Sequence, residues 1–145
     1  MTALETVRDW IKTFPDFDIL SAFRIDFTDQ IPQNGGIFPN GLLEINRTED
    51  ILGNVTVQNQ YNFGLYYVFE KSPGDDVGAL VNADWIMDFQ EWVQAQSALK
   101  KVPQFGDKTL YAQAQNGTLY EADEEGTATY MVQLSIVFEK RFEVI

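Results

Sequence analysis

From Thr127 to Phe142 the sequence alternates over an unusual length. Ala128, Tyr130, Val132, Leu134, Ile136 and Phe138 share one parity, and Thr129, Gln133, Ser135 and Glu139 the other. A period of two predicts a strand with one dry face and one wetter face. At about 3.3 Å per residue this strand would reach roughly 50 Å. A compact chain of this length has a radius of gyration near ~15 Å, hence a diameter under about 40 Å. The strand therefore bends or projects. Projection would leave backbone for other copies of the chain to pair with, so the pattern points to a structural, assembling protein rather than to a reaction.

A second long strand is predicted over residues 55–70, after a strand over 41–47 and a turn over 48–53. Val55, Val57, Tyr61, Phe63, Leu65, Tyr67 and Phe69 lie on one of its faces, and Gly64 marks a bulge or a bend. Both runs exceed the usual five or six residues. A hairpin overhanging its own domain offers edges for strand addition by identical subunits; a bent strand covered at home fits the same pattern. Residues 108–115 and 118–122 read as strand, with Asn116-Gly117 either a type I′ turn or a bulge. Asp123, Glu124, Glu125 and Gly126 then turn the chain into the last strand.

Thr2 and Glu5 form a capping-box pattern, and Leu4, Val7, Trp10, Ile11 and Phe14 follow at helical spacing. A short helix is expected over residues 3–13, stopped by Pro15. Residues 18–28 read as a strand. Residues 30–41 read as a loop, because Pro32, Gly35, Gly36, Pro39 and Gly41 are too dense for a helix or a central strand. Ile31, Ile37 and Phe38 on that loop either tuck onto their own domain or dock on a neighbour. The main helix is expected over 77–99, opened by Asp75 and Asp76 as caps and closed by Lys100, Lys101 and Pro103. Its stripe of Val81, Trp85, Phe89, Trp92 and Leu99 should cover the sheet. The expected architecture is one α+β domain over residues 1–145: two layers, a mostly antiparallel sheet with long hairpin strands, covered by one long and one short helix. Trp10, Trp85, Phe89, Trp92, Tyr130 and Leu134 are the predicted core.

Cysteine and histidine are both absent. Disulfides, thiolate and imidazole metal sites, and nucleophile–histidine pairs are thereby excluded. No catalytic, cofactor-binding or metal-binding residues are assigned. The formal net charge of −12 repels phosphate backbones and anionic lipid, so neither specific nucleic-acid binding nor membrane association is expected. Solvation of the surface is the simple reading of that charge. The sharper one places Asp75, Asp76, Asp123, Glu124 and Glu125 along a passage or at a tip past which DNA slides without sticking. No secretory leader and no membrane-spanning run is read, so the chain is expected to act where it is made.

Four features in order carry a resemblance: Tyr61-Asn62-Phe63; Asn82 followed by Phe89 and Trp92; Pro103 after a short basic linker; and the run from Ala128 through Thr129, Tyr130, Met131 and Val132 to Gln133. From residue 41 to 142 the arrangement resembles the small minor capsid or tail-completion proteins of long-tailed bacteriophages, including tail terminators. The resemblance implies a virion protein of a phage or prophage, assembled in the bacterial cytoplasm. It implies a homo-oligomer, commonly a six-membered ring, that ends the tail tube and meets the head connector. Candidate subunit contacts on this reading are Ile37, Phe38, Tyr61, Phe63 and Tyr66. Before residue 41 the chain departs from that pattern in its Pro and Gly content.

Two rival readings stand beside it. A carboxylate hydrolase could combine Glu44, Asp84 and Glu121, although their spacing singles out none of them. A monomeric binding module could use Tyr61, Tyr66 and Tyr67 as a contact face.

Overall fold

A computed structural model of the chain describes residues 2–15, 17, 22–25, 34–70, 76–122 and 127–144. Two helices, α1 (Ala3–Ile11) and α2 (Asp76–Ala98), accompany five strands: β1 (Ala22–Ile25), β2 (Asn34–Glu49), β3 (Val55–Glu70), β4 (Lys108–Ala122) and β5 (Thr127–Phe142). The strands form one sheet in the order β1-β2-β3-β5-β4. β1 runs parallel to β2, and every other pairing is antiparallel. The α+β class and the helix-covered sheet are as the patterning predicts.

The local causes are visible at the ends of the elements. Thr2 caps α1: its Oγ1 accepts the Glu5 N–H at 3.1 Å, and its hydroxyl donates to Glu5 Oε1 at 3.2 Å. At the far end of α2, Lys100 takes the left-handed conformation (φ 61°). Its N–H then donates to Ser97 O at 3.2 Å and the Lys101 N–H to Gln96 O at 2.9 Å. The expected cations thus close the helix through their backbone.

The core lies between the helices and one face of the sheet. Val7 and Ile11 of α1, Phe14 from the turn after it, and Trp85, Ile86, Phe89 and Val93 of α2 meet Leu65 and Tyr67 of β3 and Tyr130, Val132, Leu134 and Ile136 of β5. Trp10 and Trp92 are half-buried at its margin and stack at 5.0 Å. Phe14 sets its ring edge to Trp85 and Phe89, both at 5.4 Å. Of the six predicted core residues Trp85, Phe89, Tyr130 and Leu134 are buried in it, whereas Trp10 and Trp92 only pack against its margin. The stripe on α2 is shorter than predicted: Val81 is exposed, and Leu99, also exposed, lies past the last helical residue, Ala98.

Two expectations are corrected, and one pair of alternatives is decided. Residues 34–41 are strand rather than loop. The described residues of β1 pair with residues 34–37, so among the described residues Pro39 has no outer strand to donate to. A register shift between Pro39 and Leu42 absorbs Asn40 and Gly41, the latter at φ 92°. Gly64 is no bulge in its own strand, whose pairing with β5 runs unbroken from Val55 to Glu70. Asn116-Gly117 is the bulge alternative: β4 continues through it, with a register shift between Gln115 and Thr118. Of the strand expected over 18–28, the described part is β1; the turn over 123–126 lies outside the described residues, as do Pro32 and Ile31.

Candidate assembly interface

The long strands project. Where Tyr61 packs on Phe138 and Phe105, with ring centroids 4.9 and 5.2 Å apart, the helix-covered half of the sheet ends. Beyond that row β2 continues from Leu42 to Glu49, β3 from Gln60 back to Val55 and β5 from Val137 to Phe142, with β4 beside them only as far as Lys108, opposite Glu139. Six further residues of β3, about 20 Å of strand, make this arm, which narrows to three strands past Glu139; Val57, Val137 and Phe138 within it are buried. Its exposed apolar residues are Leu42, Leu43, Ile45, Ile51, Leu52, Phe142 and Val144, seven of the eleven large apolar residues exposed among the described ones. Such clustering marks a surface that meets something other than water.

The tip of the arm is built around one carboxylate. Asp50 Oδ1 accepts the N–H groups of Leu52 and Asn54 at 2.9 and 3.0 Å, and Oδ2 accepts the Asn54 amide at 3.2 Å. Arg141 Nη2 lies 3.4 Å from Oδ2, and Asn54 Oδ1 accepts the Val144 N–H at 2.9 Å. The turn is thereby tied to the end of β5. Desolvation, the largest single influence, would by itself raise the Asp50 pKa, and it is outweighed by the Asn54 and Leu52 N–H groups, the Asn54 amide and Arg141 acting together. Its carboxyl is held below the ordinary 3.8. An Asp four residues before Asn with Gly between them is a readable side-chain-to-backbone turn signal; the sequence reading passed over it.

The two long edges of the sheet differ. Along β4, Ser97 Oγ accepts the Ala112 N–H at 3.0 Å and Gln90 Nε2 donates to Ala114 O at 3.1 Å. α2 approaches so closely there that a Cβ on Gly117 would lie 2.6 Å from Ile86 Cγ2 and 2.3 Å from Gln90 Oε1. Between α2 and β4 a groove of about 520 Å³ remains, lined mainly by Gln90, Gln94, Ser97, Tyr111 and Gln113. Along β2 past Ile37, no described strand or helix covers the outer edge. On the face of the sheet away from the helices, Gln60 and Ser135 both donate to Asn62 Oδ1, at 2.7 and 3.1 Å. That face carries amides rather than charges around its centre.

The candidate contact residues divide. Ile37 and Phe63 are buried in the chain's own core, so they are corrected to core residues: Ile37 pairs across from Leu65 and faces the helices. Tyr61 is half-buried in the row that closes the core. Phe38 and Tyr66 are half-buried together on the opposite face, ring edge to ring face at 5.2 Å. Tyr61, Tyr66 and Tyr67 do not share a face, and Tyr67 is fully buried. Of the acidic candidates, Asp76 is the first residue of α2, while Asp75, Asp123, Glu124 and Glu125 lie outside the described residues. Glu44 belongs to the arm beside Asn59, and Asp84 lines a cleft with Phe69. Ten residues of β3 separate those rows, roughly 33 Å, so they form no common site. Glu44 is also engaged by Arg47 at 2.8 Å. Burial pushes the phenols of Tyr67 and Tyr130 up, away from neutral pH. Among the described residues no cluster of three metal-ligating side chains occurs, and no helix is long and apolar enough to cross a membrane.

No known protein-family model matches the chain, and no curated protein does.

Proposed function

We propose that this chain is a self-assembling structural protein of a phage or prophage virion, one that closes into a ring at the head–tail junction and completes the tail. The observation that carries the assembling part is the arm, which narrows to three strands and gathers most of the exposed apolar side chains. A monomer in isolation gains nothing from such a surface, whereas a neighbour that covers it removes apolar area from water. The phage assignment rests on the ordered resemblance given above, with the tail tube and head connector as further partners. DNA would pass such a ring without being held, since a chain of net charge −12 supplies little phosphate neutralisation.

Sedimentation velocity across a concentration series tests the reading. Mass should rise with concentration to a closed species. A strict monomer at every concentration that also fails to bind purified phage tail tubes overturns it.

A further inference from the structure

Ile51 and Leu52, at 102% and 75% exposure, are the most solvent-exposed large apolar residues described. The Asp50 hydrogen bonds hold their turn in one conformation, so ordering it on contact costs little. The open β2 edge beside them is a poor site for continuous strand addition. Register shifts interrupt it between Pro39 and Leu42 and between Glu44 and Asn46, and Asn46 Oδ1 already accepts the Arg47 N–H at 2.9 Å. The contact is therefore made by the side chains of the tip.

A receiving surface exists at the other end of the molecule. There Phe69, Val81 and Trp85 line a cleft of about 310 Å³, with Asp84 and Asp88 at its rim. Val81 is 62% exposed, and no ion pair among the described residues involves Asp84 or Asp88. α2 carries no Lys or Arg anywhere along its length. Charge selects which end of a second copy can approach. Residues 42–60, 99–109 and 137–144, the arm and the loop beside it, hold six of the ten cations and six of the 22 acids. That end is net neutral, and the whole formal −12 falls on the rest of the chain. An arm brought to the α2 cleft escapes the repulsion that any acid-to-acid approach meets, and it brings Lys140 and Arg141 toward Asp84 and Asp88.

We propose that the arm tip of one copy seats Ile51 and Leu52 in the Phe69–Val81–Trp85 cleft of a second copy. This rests on the self-assembly reading above and names its contact. Val55 and Phe69 are fourteen residues apart on one strand whose pairing with β5 is unbroken, roughly 46 Å of strand, so a chain does not fill its own cleft. Tip and cleft are different surfaces. The contact is heterologous, and it leaves each added copy with a free cleft or a free tip until a ring closes.

The absence of cysteine allows a clean test by disulfide trapping. Leu52→Cys and Val81→Cys, prepared separately, are mixed and mildly oxidised, with a mass tag on one of them. Mixed dimers should form well above the level seen when Leu52→Cys is mixed with Lys12→Cys. Each variant alone should stay largely uncrosslinked. The double variant Leu52→Cys/Val81→Cys should give a ladder that ends at the ring number. Crosslinks only between identical variants, or none above the Lys12 control, overturn the contact. If wild-type chain still sediments as an oligomer in that case, the assembly reading survives and only this contact is lost; if it stays monomeric and ignores tail tubes, both fall.

Discussion

Along β4, α2 lays Ser97 and Gln90 on the outward backbone of Ala112 and Ala114; along β2 past Ile37, the described chain lays nothing. The same contrast holds between the two halves of the sheet. One half has aromatic rings packed to full burial, such as Phe89 and Tyr67. The other narrows to three strands past Glu139 and exposes Leu42, Leu43, Ile45 and Phe142, though Val57 within it is buried. A helix laid on one edge blocks sheet growth there, and among the described residues the β2 edge past Ile37 has no such block. The lesson is that strand length alone does not make an assembling protein. What matters is where the covering layer stops.

The comparison is broken most severely by removing a ring from the covered half. Phe89 is fully buried and meets Trp85, Trp92, Tyr67 and Phe14. Phe89→Ala should cost about 3–5 kcal/mol in urea unfolding, whereas Ile51→Asp at the arm tip should leave the unfolding midpoint within error. Equal effects would mean that the arm is part of the core. A smaller effect is expected at the blocked edge. Gly117→Ala places a methyl against Ile86 and Gln90, and lifting α2 to accommodate it should cost about 1–3 kcal/mol. Faster amide exchange at Ala112 should accompany it, since the Ser97 hydroxyl moves with the helix. Ser97→Ala isolates that one hydrogen bond. It should destabilise by about 1 kcal/mol and raise Ala112 exchange without altering the rest of β4.

Much of this division was legible in the sequence, and the misses have physical causes. The bounds of β3 and β5 coincide with those of the alternating runs, because a period of two that long has no helical competitor. That the strands project was one of two geometric options, and only the extent of the helices decides between them. Phe63 shared the dry parity with Phe69, yet without knowing where cover ends a contact role for it looked as good as a core role. β2 began earlier than expected because pairing overrode the local breakers: Gly35 and Gly36 are held between β1 and β3, and Pro39 lies past the last described partner in β1. The edge block left no trace at all. Gln90 and Ala114 are far apart in sequence, as are Ser97 and Ala112, so no local pattern links a helix side chain to the strand backbone it covers. The cleft of Phe69, Val81 and Trp85 was hidden for a similar reason: Val81 fits the helical stripe, and no local pattern separates it from the buried Trp85 one turn on.

The smallest effect separates the arm from the core by pH. The folded Asp50 carboxyl is held below 3.8, so what its charge contributes to the turn is fully present above that value. It is lost as pH falls through the lower, folded-state value. The Arg141 contact adds little, being solvent-exposed; the N–H donors of Leu52 and Asn54 are what protonation weakens. Nuclear magnetic resonance of those two amides should show a common transition with its midpoint below 3.8. The Ala112 amide, bonded to a hydroxyl that does not titrate, should not follow it. In Asp50→Asn the transition should vanish while the Leu52 amide keeps an oxygen acceptor. A midpoint at or above 3.8 would mean that the carboxylate does not hold the turn, and the tip would then be a loose loop whose two apolar side chains are ordered only by whatever covers them.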